Sequence, residues 1–111
     1  MKYTVIVTPE AQRNVADAFD YISDHSPANA DKWLRELHEQ FDGLKEFPHR
    51  FGHAREQDFF PDAEIRQIIF KSHRIIFTID ESSSTVSIAF VRHAKMRAIG
   101  EEFFRSDDEA D

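Results

Sequence analysis

Two hydroxyl–proline pairs, Thr8-Pro9 and Ser26-Pro27, constrain this chain more than any other feature. In each, the hydroxyl suits the cap of a helix, where it accepts from amides without intrahelical partners. The proline suits the first helical position, where no amide bond is lost. Each pair opens a run whose apolar residues recur on one side at helical period. After the first come Ala11, Val15, Ala18, Phe19 and Ile22; after the second, Ala30, Trp33, Leu34, Leu37, Phe41 and Leu44. Glu10 adds a negative charge where the helix end is positive. The spacing predicts helices over 9–25 and 27–46, joined so tightly that they form an antiparallel αα-hairpin. Each helix has one apolar stripe, so the pair must lie on another apolar surface.

Strand-type segments supply that surface. Residues 2–7 alternate and are rich in β-branched and aromatic side chains, and segments 64–70, 73–80 and 85–92 have the same character. Lys71-Ser72 and Glu81-Ser82-Ser83-Ser84 are short connections, so the last three strands form a meander. Residues 48–62 hold Pro48, Gly52 and Pro61 and show no period; they read as a loop pinned by Phe51, Phe59 and Phe60. A short last helix is expected over 96–104, carrying Ile99 and Phe103. The acidic tail 106–111 is expected to be disordered. The fold class is therefore α+β: a two-layer, strand–helix–helix–strand–strand–strand domain over 1–105, with the hairpin packed on one face of an antiparallel sheet.

Composition narrows the function. The chain has no cysteine, which removes disulfides, thiolate catalysis and cysteine-bound zinc. It has no long apolar segment at its start and no apolar run of roughly 18 residues, so a cytoplasmic protein without membrane contact is expected. The net charge of −7 argues against direct nucleic-acid binding through a broadly basic surface. The charge is unevenly spread, however. Residues 66–97 carry six Lys/Arg against two Asp/Glu, whereas residues 1–65 carry seven against thirteen. Eleven phenylalanines are more apolar surface than so small a domain hides easily, so a partner is expected to cover part of it.

The candidate chemistry lies in the cationic stretch. His73 and Arg74 begin one strand, and Arg92 and His93 end the next, so a tight turn makes them neighbours. Arg66 precedes them, and Lys95 and Arg97 follow. Arginines there suit a phosphate and an imidazole suits proton transfer near neutral pH. Such a set serves RNA cleavage through the 2′-hydroxyl, or docks a protein, or is simply a solvated sheet end. His49 and His53 sit in a Pro/Gly loop with no third ligand at a telling spacing; no metal is expected, and no cofactor. Three scattered glycines make no phosphate-cradling loop, and there is no Gly-x-Ser-x-Gly elbow.

Taken together, the segments resemble the RelE/ParE toxin superfamily of type II toxin–antitoxin systems. Tyr3 to Thr8 with Ala11 resembles the opening strand and helix start. Tyr21-Ile22, Ala30, Trp33, Leu34 and Leu37 resemble the pattern of the helical hairpin, and Phe47-Pro48 with Gly52 resembles its exit. Glu64-Ile65-Arg66, then residues 73–79 and 86–93, resemble the strands of the meander. The resemblance spans residues 3 to about 97. His93-Ala94-Lys95-Met96 is similar to the H-x-x-M that follows the last strand in the ParE branch. RelE-type mRNA interferases often have a tyrosine near the C-terminus, and here the tyrosines are Tyr3 and Tyr21.

The ParE resemblance implies a plasmid-stabilisation-type toxin that inhibits DNA gyrase without turnover. His93, Lys95, Met96 and Arg97 would face the target. A ParD-like antitoxin with a DNA-binding N-terminal domain would neutralise it in a hetero-oligomer. One alternative is a RelE-like ribosome-dependent endoribonuclease, with Arg66, Arg74 and Arg92 holding phosphate and His73 or His93 as acid or base. The other is a non-toxic homologue that binds an antitoxin. Acidic residues after Arg97, such as Glu101 and Glu102, depart from the basic stretch common in ParE relatives.

Overall fold

The computed structural model describes residues 2–100. Strand β1 (Thr4–Val7) leads into helices α1 (Pro9–His25) and α2 (Pro27–Gly43), and strands β2 (Ile65–Phe70), β3 (His73–Asp80) and β4 (Thr85–His93) follow. Both expected caps form. The Thr8 hydroxyl accepts from the Ala11 amide and the Ser26 hydroxyl from the Asn29 amide. The sheet order is β1-β4-β3-β2. The meander β2-β3-β4 is antiparallel, but β1 runs parallel to β4, so the sheet is mixed rather than wholly antiparallel. The reason is the connection: the chain leaves β1 through a complete helical hairpin, which returns it to the end from which a parallel pairing starts.

Helix α2 ends at Gly43 rather than near Glu46. The carbonyl of Lys45 instead accepts from the Tyr3 amide, and Lys2 bridges to Glu46, which draws the chain onto the end of β1. The loop 48–62 is irregular apart from two short 3-10 turns, Pro48–Arg50 and Arg55–Phe59. Phe51 meets Phe77 edge to face at 6.1 Å, as a pinning residue should. Phe60 remains 42% exposed and Phe47 70%.

The two faces of the sheet are covered differently. Against the helices lies a continuous core of Ala11, Trp33, Leu37, Phe41, Leu44, Ile68, Phe70, Ile75, Phe77, Val86, Ile88 and Val91. On the far face a small cluster joins Ala54, Ile65 and Ile76, with Phe90 and Ile99 against it. The segment after β4 supplies Ile99, and over the described residues 96–100 it forms turns, not the start of a helix. Contacts to the 3-10 turn beside it hold it in that form; the rest of the expected helix, 101–104, and the tail lie outside the described residues. No described helix is long and apolar enough to cross a membrane.

Candidate functional site

The register of β3 and β4 decides where the candidate residues go. His73 stands opposite His93 and Arg74 opposite Arg92, but the pairing shifts between Ile76 and Phe77, leaving Ala89 as an extra residue in β4. A bulge reverses which residues face which side. Val86 and Ile88 point at the helices before it, and Val91 and His93 after it. The bulge is held in place by the Thr8 hydroxyl, which donates to the Ile88 and Ala89 carbonyls at 2.9 and 3.2 Å.

The structure therefore divides the expected cluster. His73 and His93 lie on the helix side, ring centroids 5.5 Å apart, with the Trp33 indole 5.4 Å from His73. Arg74 and Arg92 lie on the far side. Arg66 is elsewhere again: opposite Phe77, about 13 Å along the sheet by strand rise from the histidine end. Its guanidinium donates to the carbonyls of His49 and Phe51 and pairs with Glu64 at 3.6 Å, which ties down the loop.

Arg74 is consumed internally. It is 1% exposed and forms a two-pronged pair with Glu56, itself 2% exposed, at 2.9 and 2.8 Å. It also donates to Gln67 at 2.8 Å. Burial by itself would raise the Glu56 carboxyl. The Arg74 hydrogen bonds, the Ile99 and Glu56 amides and the Arg74 charge outweigh it and hold the group below the usual carboxylate value. Arg92 has no carboxylate partner among the described residues, and its Nε is buried without a hydrogen bond.

His73 and His93 open into a groove of about 730 Å³ between α1 and the end of β4, where β1 no longer covers the strand. Ala18, Ile22, Trp33, Val91 and Met96 give it an apolar floor; Glu10 and Asp17 stand on one side, and Lys71 and Arg92 near the histidines. The Asn14 side chain caps the uncovered strand by accepting from the Val91 amide at 3.0 Å. Burial, then the charge of His93, lowers the pKa of His73, whose Nδ1 is buried without a hydrogen bond among the described residues. His93 is exposed, and its Nδ1 accepts from the Lys95 amide at 3.2 Å, which selects the tautomer protonated at Nε2.

The turn after β4 exposes the other candidates together: His93, Lys95, Met96 and Arg97 are all exposed, Met96 at 49%. His49 and His53 go separate ways, each pairing with its own carboxylate, Glu81 at 2.8 Å and Glu64 at 2.7 Å. Glu56 was not among the sequence candidates. The available signal was Arg74 itself, a permanent cation inside an apolar strand run, which demands a buried carboxylate somewhere in the chain.

Comparison with known proteins agrees with this geometry. The family described as ParE toxin of type II toxin–antitoxin system, parDE, matches residues 5–98. The chain belongs to that family. No curated protein matches it. Among solved structures, a chromosomal ParDE system from P. aeruginosa aligns with a TM-score of 0.66 at 14% identity, over 85% of this chain and 98% of the other. A RelBE toxin–antitoxin complex from Mycobacterium tuberculosis gives 0.57 at 23%, covering 84% and 99%. An archaeal RelE–RelB complex from Pyrococcus horikoshii gives 0.56 at 13%, covering 87% and 100%. At these identities the structural likeness shows a shared fold, common to the ParDE, RelBE and RelE–RelB structures.

Proposed function

We propose that this ParE-family toxin inhibits DNA gyrase by contact rather than by catalysis, through His93, Lys95, Met96 and Arg97, and that a ParD-like antitoxin neutralises it. The observation that carries the reading is the fate of the arginines. A phosphate-cleaving site built on Arg66, Arg74 and Arg92 needs their guanidinium groups free beside its acid and base. Arg66 and Arg74 are instead bound to carbonyls and to Glu56. The exposed cations Lys95 and Arg97, with Met96, stand on a turn fixed at both ends. An antitoxin segment that folds on binding suits the groove between α1 and β4, whose apolar floor is otherwise open to water.

The test is Lys95→Glu with Arg97→Glu. Both sites are exposed, so the stability cost should stay within about 0.5 kcal/mol. Induced wild-type protein should arrest growth with an SOS response, and the double variant should not, while still binding antitoxin. Translation arrest without SOS induction would overturn the gyrase assignment.

The RelE-like reading retains one specific support, the His73–His93 pair lining the groove. Codon-phased cuts in a translated message, appearing only when toxin is added and lost in His73→Gln and His93→Gln, would establish it in place of gyrase inhibition. A wild-type protein that binds antitoxin but arrests nothing would identify a non-toxic homologue.

A further inference from the structure

Two adjacent residues of the 3-10 turn Arg55–Phe59 reach across the far face to the segment after β4. The exposed Arg55 guanidinium donates to the carbonyl of Ala94 at 3.0 Å and of Met96 at 3.5 Å. The buried Glu56 accepts from the Ile99 amide at 2.9 Å through the same oxygen that Arg74 holds at 2.8 Å. The exposed stretch 95–97 thus hangs between two fastenings about four residues apart, both made by residues 39 to 43 positions earlier in the chain.

The arrangement has a direction. Arg74 is fixed by the strand, and its two-pronged pairing leaves the Glu56 carboxylate one orientation; that carboxylate then sets where the Ile99 amide lies. Ala98 and Gly100 are buried, while Lys95, Met96 and Arg97 are held outward. Gly100 takes φ 98°, and a Cβ there would meet the Phe60 ring at 3.1 Å, so the segment also leaves the clamp by a path that a side chain would obstruct.

We infer that Arg55 and Glu56 are positioning residues that fix the shape in which Lys95, Met96 and Arg97 meet the target. The inference rests on the reading of residues 93–97 as target-facing. It predicts that loosening the clamp disables the toxin without touching any exposed residue of that segment, because an ordered loop need not lose entropy on binding.

The experiment compares full-length wild type, Arg55→Ala, Arg55→Lys and Glu56→Gln by hydrogen exchange, antitoxin titration and growth arrest. In Arg55→Ala, exchange in the 94–99 region should rise roughly tenfold, the factor matched by losing one charge-assisted hydrogen bond. Growth arrest should weaken sharply and the melting temperature should stay near wild type, while antitoxin affinity should fall less than arrest does, since Met96 is one of several residues in the groove floor. Arg55→Lys, which keeps one donor, should restore part of both losses. Glu56→Gln should release the Ile99 amide more strongly; since it also unpairs buried Arg74, Arg55→Ala is the variant that decides if it fails to fold.

Unchanged exchange at 94–99 in Arg55→Ala overturns the clamp. Raised exchange with undiminished arrest overturns its role in target contact. Failure of the underlying reading looks different: arrest would survive Lys95→Glu with Arg97→Glu, whereas exchange in Arg55→Ala would still report on the clamp.

Discussion

The two faces of the sheet are built on opposite principles. The helix side is apolar throughout its centre: Phe77, Ile75, Val86 and Ile88 are fully buried, and alternation along each strand suffices to place them. The far side has only a thin cover of loop and post-β4 segment, and toward its histidine end lies an ion pair between side chains 2% and 3% exposed. Apolar packing is non-directional and tolerates small shifts. A two-pronged guanidinium–carboxylate pair specifies position and angle. The helix side therefore holds the domain together, and the far side fixes where the exposed 93–97 stretch stands.

Four measurements break or sharpen that contrast. On the helix side, Phe77→Ala removes a fully buried ring that Phe51 packs against, and should cost about 3–5 kcal/mol in chemical denaturation. A loss under about 1 kcal/mol would mean that this core is not the main source of stability.

On the far side, Glu56→Gln leaves the Arg74 charge buried and unmatched, a loss of about 3 kcal/mol or slightly more. The contrast is sharpened by Glu56→Met with Arg74→Met, which removes both charges. That double variant should fold with stability near wild type, because replacing such a pair by apolar groups is often neutral. The 94–99 region should nevertheless lose its protection. If the double replacement costs as much as Glu56→Gln alone, the pair is a stabilising element like the core, and the contrast between the faces fails.

Thr8 joins the two sides, since its hydroxyl caps α1 and holds the β4 bulge. Thr8→Ala should cost about 1–2 kcal/mol, the upper range for a cap. Thr8→Ser, which keeps the hydroxyl, should recover most of it. Equal losses in both variants would assign the effect to the threonine methyl rather than to the hydrogen bonds.

Much of this was legible in the sequence, for stated reasons. The Thr8-Pro9 and Ser26-Pro27 caps are local signals, and both helices begin where these residues place them. That His73–Arg74 and Arg92–His93 meet at one end of the sheet followed from the meander, in which the turn 81–84 folds β4 back on β3; the pairing of His73 with His93 itself comes from the bulge. Three features were not legible. The extra residue at Ala89 depends on tertiary bonds from Thr8, and without it alternation alone puts His93 and Arg92 on the wrong faces. The position of Arg66 depends on strand register rather than on proximity in the chain. Glu56 looked like any polar loop residue, because nothing local distinguishes a carboxylate that will be buried by a strand eighteen positions later.

The smallest expected effect concerns protons on the helix side. Burial and then His93 lower the pKa of His73 from its ordinary 6.5, so the folded protein disfavours its protonation there. The unfolded chain binds that proton more readily. The stability His73 contributes is therefore complete above about pH 6.5 and declines as pH falls through the unfolded value toward the lowered folded one. Glu56 acts in a separate window: its carboxyl is lowered from 4.5, so its contribution is present above that value and lost at more acid pH. Denaturation midpoints for wild type and His73→Gln, measured from pH 8 to pH 5, should converge toward the acid end, because glutamine cannot take up the proton. His93→Gln should soften the same decline by removing the neighbouring charge. Parallel curves for wild type and His73→Gln across that range would show that His73 is as free to protonate in the folded protein as in water, and the groove beside it would then be far wetter than its Trp33 and Val91 lining implies.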